Sequence, residues 1–101
     1  MRVVLCTTPQ EKSEEIAEIL LREKLCACIN IIPGIKSMYW WEDKIQTDQE
    51  DILIIKTKEE LIDPLTQKIK EIHPYDIPEV IALKVKGGNK DYIQWVLNSI
   101  K

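Results

Sequence analysis

The chain has 101 residues, of which 45% are hydrophobic and 31% charged, with only 3 Gly; that balance builds one packed domain spanning residues 1–101 and excludes a disordered or low-complexity chain. Lys plus Arg number 14 against 17 Asp plus Glu, a net charge of −3, so the basic excess that displaces counterions from nucleic acid is missing. No stretch reaches the ~18 apolar residues of a membrane helix, the apolar run at residues 3–6 is too short for a signal-peptide core, and none of the 3 Cys pairs at the C-x2-C spacing of zinc sites. The expectation is a cytoplasmic protein with free thiols and no membrane or nucleic-acid partner.

In chain order, Val3-Val4-Leu5-Cys6-Thr7 reads as a buried strand that Pro9 stops. A helix follows over about residues 11–24: acidic Glu14 and Glu15 open it, Arg22 and Lys24 close it, and Ile16, Ile19 and Leu20 form its apolar stripe. Residues 27–41 are β-rich. Pro33-Gly34 favours a type II turn, whose twist suits two-residue hairpins poorly, so it reads as a bulge inside one long strand. The hairpin turn falls instead at Glu42-Asp43-Lys44, and the next strand ends in Ile52-Leu53-Ile54-Ile55, apolar on both faces and so covered on both. The acidic run Asp48-Gln49-Glu50-Asp51 lacks EF-hand spacing and reads as a solvated face.

Thr57-Lys58-Glu59-Glu60 has capping-box form, and Ile62, Leu65, Ile69 and Ile72 continue at helical spacing until His73-Pro74 ends the helix. Residues 80–85 form a strand broken by Gly87-Gly88. Asn89 then caps a last helix with Ile93, Val96, Leu97 and Ile100 on one face. The order is an α+β, ferredoxin-like βαββαβ arrangement with a C-terminal helix and a long central hairpin. A strand over residues 27–41 would span about 50 Å, whereas a compact domain of ~100 residues is about 35 Å across. The hairpin must overhang its own domain, and its tip carries Tyr39, Trp40 and Trp41, which are costly to leave in water. Laying the overhang on a neighbouring subunit resolves this and predicts an oligomer.

Cys6-Thr7-Thr8-Pro9, Leu25-Cys26-Ala27-Cys28-Ile29-Asn30, Ser37-Met38-Tyr39-Trp40-Trp41-Glu42, Lys56-Thr57 and His73-Pro74-Tyr75-Asp76-Ile77-Pro78 together resemble the CutA divalent-cation-tolerance proteins in order and spacing. The resemblance implies a ferredoxin-like homotrimer similar to the P-II signalling proteins, linked to copper and other heavy-metal tolerance, with no catalytic reaction. Asp43 stands where glycine is common in that family, and Ile72 where some members carry a second histidine. By the same resemblance Cys6 and His73 match residues assigned as copper ligands, and the topology brings both to one end of the domain. A thiolate and an imidazole suit copper or another divalent cation but do not close a site alone, so water, Asp76 or another subunit would complete it.

The other reading of that pair is a buried thiol and a histidine bonded to the turn at Pro74. Cys26 and Cys28, two apart on one strand, are either a soft-metal pair or two small buried residues. Tyr39, Trp40, Trp41, Lys56, Tyr75 and Glu79 are expected at an inter-subunit cleft or interface, as an effector pocket of the P-II kind or as interface packing. With 1 His and no nucleophile elbow or phosphate loop, the chain reads as a non-enzyme.

Overall fold

The computed structural model describes residues 1–100. Strands β1 (Arg2–Thr8), β2 (Cys28–Trp41), β3 (Lys44–Thr57) and β4 (Ile81–Lys84) form one sheet in the order β2-β3-β1-β4, with every neighbouring pair antiparallel. Helices α1 (Ser13–Arg22) and α2 (Ile62–Ile72) follow β1 and β3, and α3 (Lys90–Asn98) ends the fold. This is the expected βαββαβ arrangement with its terminal helix.

Several element ends differ from the expected ones. The first helix begins as a 3-10 turn, Gln10–Lys12, and becomes α-helical only at Ser13. The Ser13 hydroxyl is held there by the Gln10 carbonyl at 3.2 Å and the Asp51 carboxylate at 2.6 Å. The capping box does not form: Thr57 turns inward and donates to the Leu25 carbonyl at 2.7 Å, and a 3-10 turn at Glu59–Leu61 leads into α2 instead. Pro64 sits in the first turn of α2, where a missing N–H forfeits no intrahelical bond. The last strand is shorter than expected, pairing only from Arg2↔Lys84 to Leu5↔Ile81. Asn89 caps α3 as expected, its Oδ1 accepting from the Asp91 N–H at 2.9 Å.

Alternation along the strands separates the two faces of the sheet. Val4, Cys6, Leu53 and Ile55 are fully buried with Ile16 and Leu20 of α1 and Leu65 and Ile69 of α2, forming the core. The opposite face carries Val3, Leu5, Ile52 and Ile54, half-buried, with Ile81 at 49% and Leu83 at 47% exposure. The hairpin extends beyond the helix-covered part, so the molecule measures 44 × 25 × 21 Å.

Candidate functional site

The site is built on the far half of the hairpin, and the bulge decides which residues face it. Ile32 pairs with Ile52 but Ile35 with Glu50, so β2 holds one residue more than β3 across Pro33-Gly34. With a side-chain period of two, that extra residue exchanges the faces of β2. Ser37, Tyr39 and Trp41 thereby join Asp48 and Glu50 on the open face, while Met38 and Trp40 pair with Thr47 and Ile45 on the other. Gly34 holds φ +66°, a left-handed conformation that suits glycine. The Asp51 carboxylate fixes the bulge by accepting the Gly34 N–H at 3.1 Å as well as the Ser13 hydroxyl. The Ser13 bond, followed by Gly34, holds the Asp51 carboxyl below its ordinary value despite burial.

Against this half-hairpin lies the segment that follows α2. Together they enclose a cleft of about 890 Å³, open on one side, with Tyr39, Trp41 and Tyr75 as aromatic walls and Asp48, Glu50, Asp76 and Glu79 as its charged groups. Among the described residues, no Lys, Arg or His lines it. Glu50 is only 5% exposed. Its Oε2 accepts the Tyr75 hydroxyl at 2.8 Å, and the Tyr39 hydroxyl donates to Asp48 in the same way. Burial, then the Glu50 bond, raises the Tyr75 phenol above its usual value; burial, then the Glu50 charge, raises the Glu79 carboxyl. The cleft carries more negative charge than its own groups offset.

Cys6 and His73 stand behind this cleft and converge on one atom. His73 Nε2 donates to the Thr7 carbonyl at 2.8 Å, and the Cys6 thiol makes a long contact of 3.7 Å with the same oxygen. His73 Nδ1 accepts the Tyr75 N–H at 3.1 Å, so both ring nitrogens are engaged. Burial, with the charges of Glu79 and Glu50, pushes the Cys6 thiol up to about 12, so it carries its proton at neutral pH. A metal held by this pair would have to displace the thiol proton and one of the imidazole's two hydrogen bonds. Among the described residues no group of three His, Cys, Asp or Glu converges to hold a metal ion.

The remaining expected residues separate. Tyr39, Trp41, Tyr75 and Glu79 meet at the cleft; Trp40 and Lys56 are not among its lining residues. Trp40 is 72% exposed on the opposite face. Lys56 pairs in register with Cys28, and its Nζ lies 3.8 Å from the Cys28 sulfur. Cys26 precedes β2 and is buried in the core, with burial pushing its thiol up to about 12, whereas Cys28 is half-exposed on the open face. The two do not share one strand face. The acidic run is only in part a solvated face: Asp48 and Gln49 are exposed, whereas Glu50 and Asp51 are buried, one in the cleft and one in the bulge clamp. The available signal was alternation, since Glu50 keeps the parity of Ile52 and Ile54.

Residues 2–99 match the family profile described as "CutA1 divalent ion tolerance protein". The chain is 54% identical over 100 residues to "Protein CutA 1, chloroplastic" of Oryza sativa, covering 98% of this chain and 56% of that protein. It thus spans little more than half the length of that plant relative. The solved divalent cation tolerance protein of Thermus thermophilus superposes with a TM-score of 0.96 at 39% identity, covering 100% of both chains. "PII-like protein CutA" of Nostoc sp. PCC 7120 superposes with a TM-score of 0.94 at 32% identity, covering 100% of this chain and 98% of that one. The fold, the motif order and these likenesses agree: the chain belongs to the CutA1 divalent ion tolerance family.

Proposed function

We propose that the protein serves divalent-cation tolerance without catalysing a reaction, as a cytoplasmic homotrimer that takes copper or another divalent cation at an acidic cleft between subunits. The observation that carries this reading is the charge of the cleft, four carboxylates with no basic side chain among the described lining residues. The carboxylates suit a hydrated cation held through its waters better than a closed coordination shell. The trimer is supported by the open sheet face, where Ile81 and Leu83 are half-exposed beside Val3 and Leu5, and by the projecting hairpin. In this reading Trp40 and Lys56 belong to the subunit interface, while Tyr39, Trp41, Tyr75 and Glu79 belong to the cleft.

Cys6 and His73 receive a positioning part. By tying the end of α2 to β1 at Thr7 and holding the Tyr75 N–H, His73 sets the phenol that binds Glu50. As metal ligands the pair would have to surrender these bonds and a proton; copper affinity unchanged in both Cys6→Ala and His73→Ala would remove the pair as ligands. Light scattering tests the assembly: a mass three times the 11.8 kDa of one chain is expected, and a monomer at micromolar concentration sinks it. Calorimetric titration with copper(II) at low salt tests the site. Glu50→Gln with Glu79→Gln should weaken binding at least about tenfold, or 1.4 kcal/mol; unchanged affinity removes the carboxylates from the reading.

A second reading is a P-II-like regulatory trimer with a small-molecule effector in the same clefts. Its support is the size of the cleft, about 890 Å³, within the range of small-molecule sites and far above the needs of one ion.

A further inference from the structure

The cleft combines features that one metal ion does not use. Asp48 and Glu50 lie two residues apart on one face of β3, so their Cα atoms are about 7 Å apart. Asp76 and Glu79 stand on the facing segment. Glu50 is nearly buried yet commits only Oε2 to Tyr75, and it keeps its place among the lining groups.

Between the charges the cleft is aromatic and apolar. Tyr39, Trp41 and Tyr75 offer π faces, on which an alkylammonium rests favourably. Pro74 and Ile77 offer surface for methylenes, and Ile77 is 78% exposed in the single chain. Separated negative charges with apolar surface between them are the complement of a chain that carries separated positive charges.

We infer that the cleft binds an aliphatic diamine or polyamine, with one ammonium at Glu50 and Glu79, the next at Asp48, and the methylenes across Tyr39 and Trp41. A spacer of about four methylenes matches the backbone spacing of Glu50 and Asp48. The inference rests on the cation reading above and names a different chemical class for the same site. Alkylammonium groups donate hydrogen bonds to carboxylates without a coordination shell, which agrees with the lack of a converging ligand triad among the described residues.

The test is calorimetric titration of the full chain at low salt with 1,4-diaminobutane, spermidine, butylamine and magnesium, each followed by thermal melting. Spermidine and 1,4-diaminobutane should bind at least about tenfold more tightly than butylamine and raise the melting temperature, as a native-state ligand must. Asp48→Asn should weaken the diamine but hardly affect butylamine, because it removes only the second charge. Glu50→Gln should weaken both, and its amide oxygen still accepts the Tyr75 hydroxyl, so its fold survives. Diamine binding no tighter than butylamine, or unaltered by Asp48→Asn, overturns the inference. Magnesium or copper binding without diamine binding overturns it while the cation reading stands. Binding of neither class overturns both.

Discussion

The two faces of the one sheet differ in how far they are finished. On the helix-covered face Leu53 and Ile55 are fully buried; on the open face Leu83, with equivalent chemistry, is 47% exposed. β1 shows the same division within seven residues, Val4 and Cys6 sealed and Val3 and Leu5 half-sealed. Within one chain α1 and α2 complete the core, whereas Ile81 and Leu83 on the second face stay half-exposed. Apolar residues at that density on an open face are the mark of an interface.

The comparison breaks most visibly in a pair of substitutions. Leu53→Ala opens a cavity with helices on one side and should cost about 2–5 kcal/mol in urea unfolding. Leu83→Ala should change the stability of an isolated chain by only about 0.5 kcal/mol. If the open face joins subunits, Leu83→Lys leaves folded chains whose scattering mass falls to that of one. A Leu83→Lys protein of undiminished mass would remove this face from the assembly.

A second contrast is electrostatic, between Asp51 on the helix side of the hairpin and Glu79 in the cleft. Asp51→Ala leaves the Ser13 hydroxyl and the Gly34 N–H without their acceptor and should cost about 1–3 kcal/mol. The folded-state pKa of Asp51 is lowered, chiefly by Ser13. Its contribution is therefore present above the unfolded value near ~3.9 and lost as pH falls through the folded value. Asp51→Asn should flatten that acid limb of a stability–pH curve. Glu79 has the opposite sign. Its pKa is raised by burial and by Glu50, so its ionisation disfavours the folded state, and stability falls as pH rises through the folded value. Glu79→Gln should stabilise the protein at neutral pH and have no effect well below the ordinary Glu value. Melting curves at several pH values decide both, and a shared sign for the two carboxylates would contradict the contrast.

The helix-covered face was legible because periodicity carries it: Ile16, Leu20, Leu65 and Ile69 repeat at helical spacing and all are core. The bulge was legible from Pro33-Gly34, whose turn type suits a hairpin badly. The cleft was legible only in part. Tyr39, Trp41, Tyr75 and Glu79 were marked by their chemistry, but Glu50 looked like solvent-facing charge: alternation gave its face, while its burial comes from a distant loop. Lys56 was grouped with the cleft or interface on residue type alone; strand alternation separates Trp40 from Trp41, and the one-residue bulge decides which of the two joins the cleft. Thr57 failed as a cap for a similar reason, since its hydroxyl is turned to the distant Leu25 carbonyl and away from the N–H groups at the start of the helix.

The smallest expected effect lies at the hairpin tip, between the two faces and outside the core. Glu42 at φ 49° and Asp43 at φ 61° form a two-residue turn with both residues in the left-handed region, as a type I′ connection requires. An L-residue there is disfavoured by roughly 1–2 kcal/mol, less for Asp, whose short polar side chain tolerates the conformation. Replacing Asp43 by glycine removes that strain but also frees the unfolded chain, which offsets about 0.4–1 kcal/mol of the gain. The net expectation for Asp43→Gly is a stabilisation of about 0.5 kcal/mol, read as a small rise in the urea midpoint with an unchanged slope. The turn is remote from the helix-covered core, so the gain should be the same in the Leu53→Ala background; independent sites add. A loss of stability in Asp43→Gly would mean that the aspartate side chain itself holds the tip, and that the overhang is organised by more than its two strands.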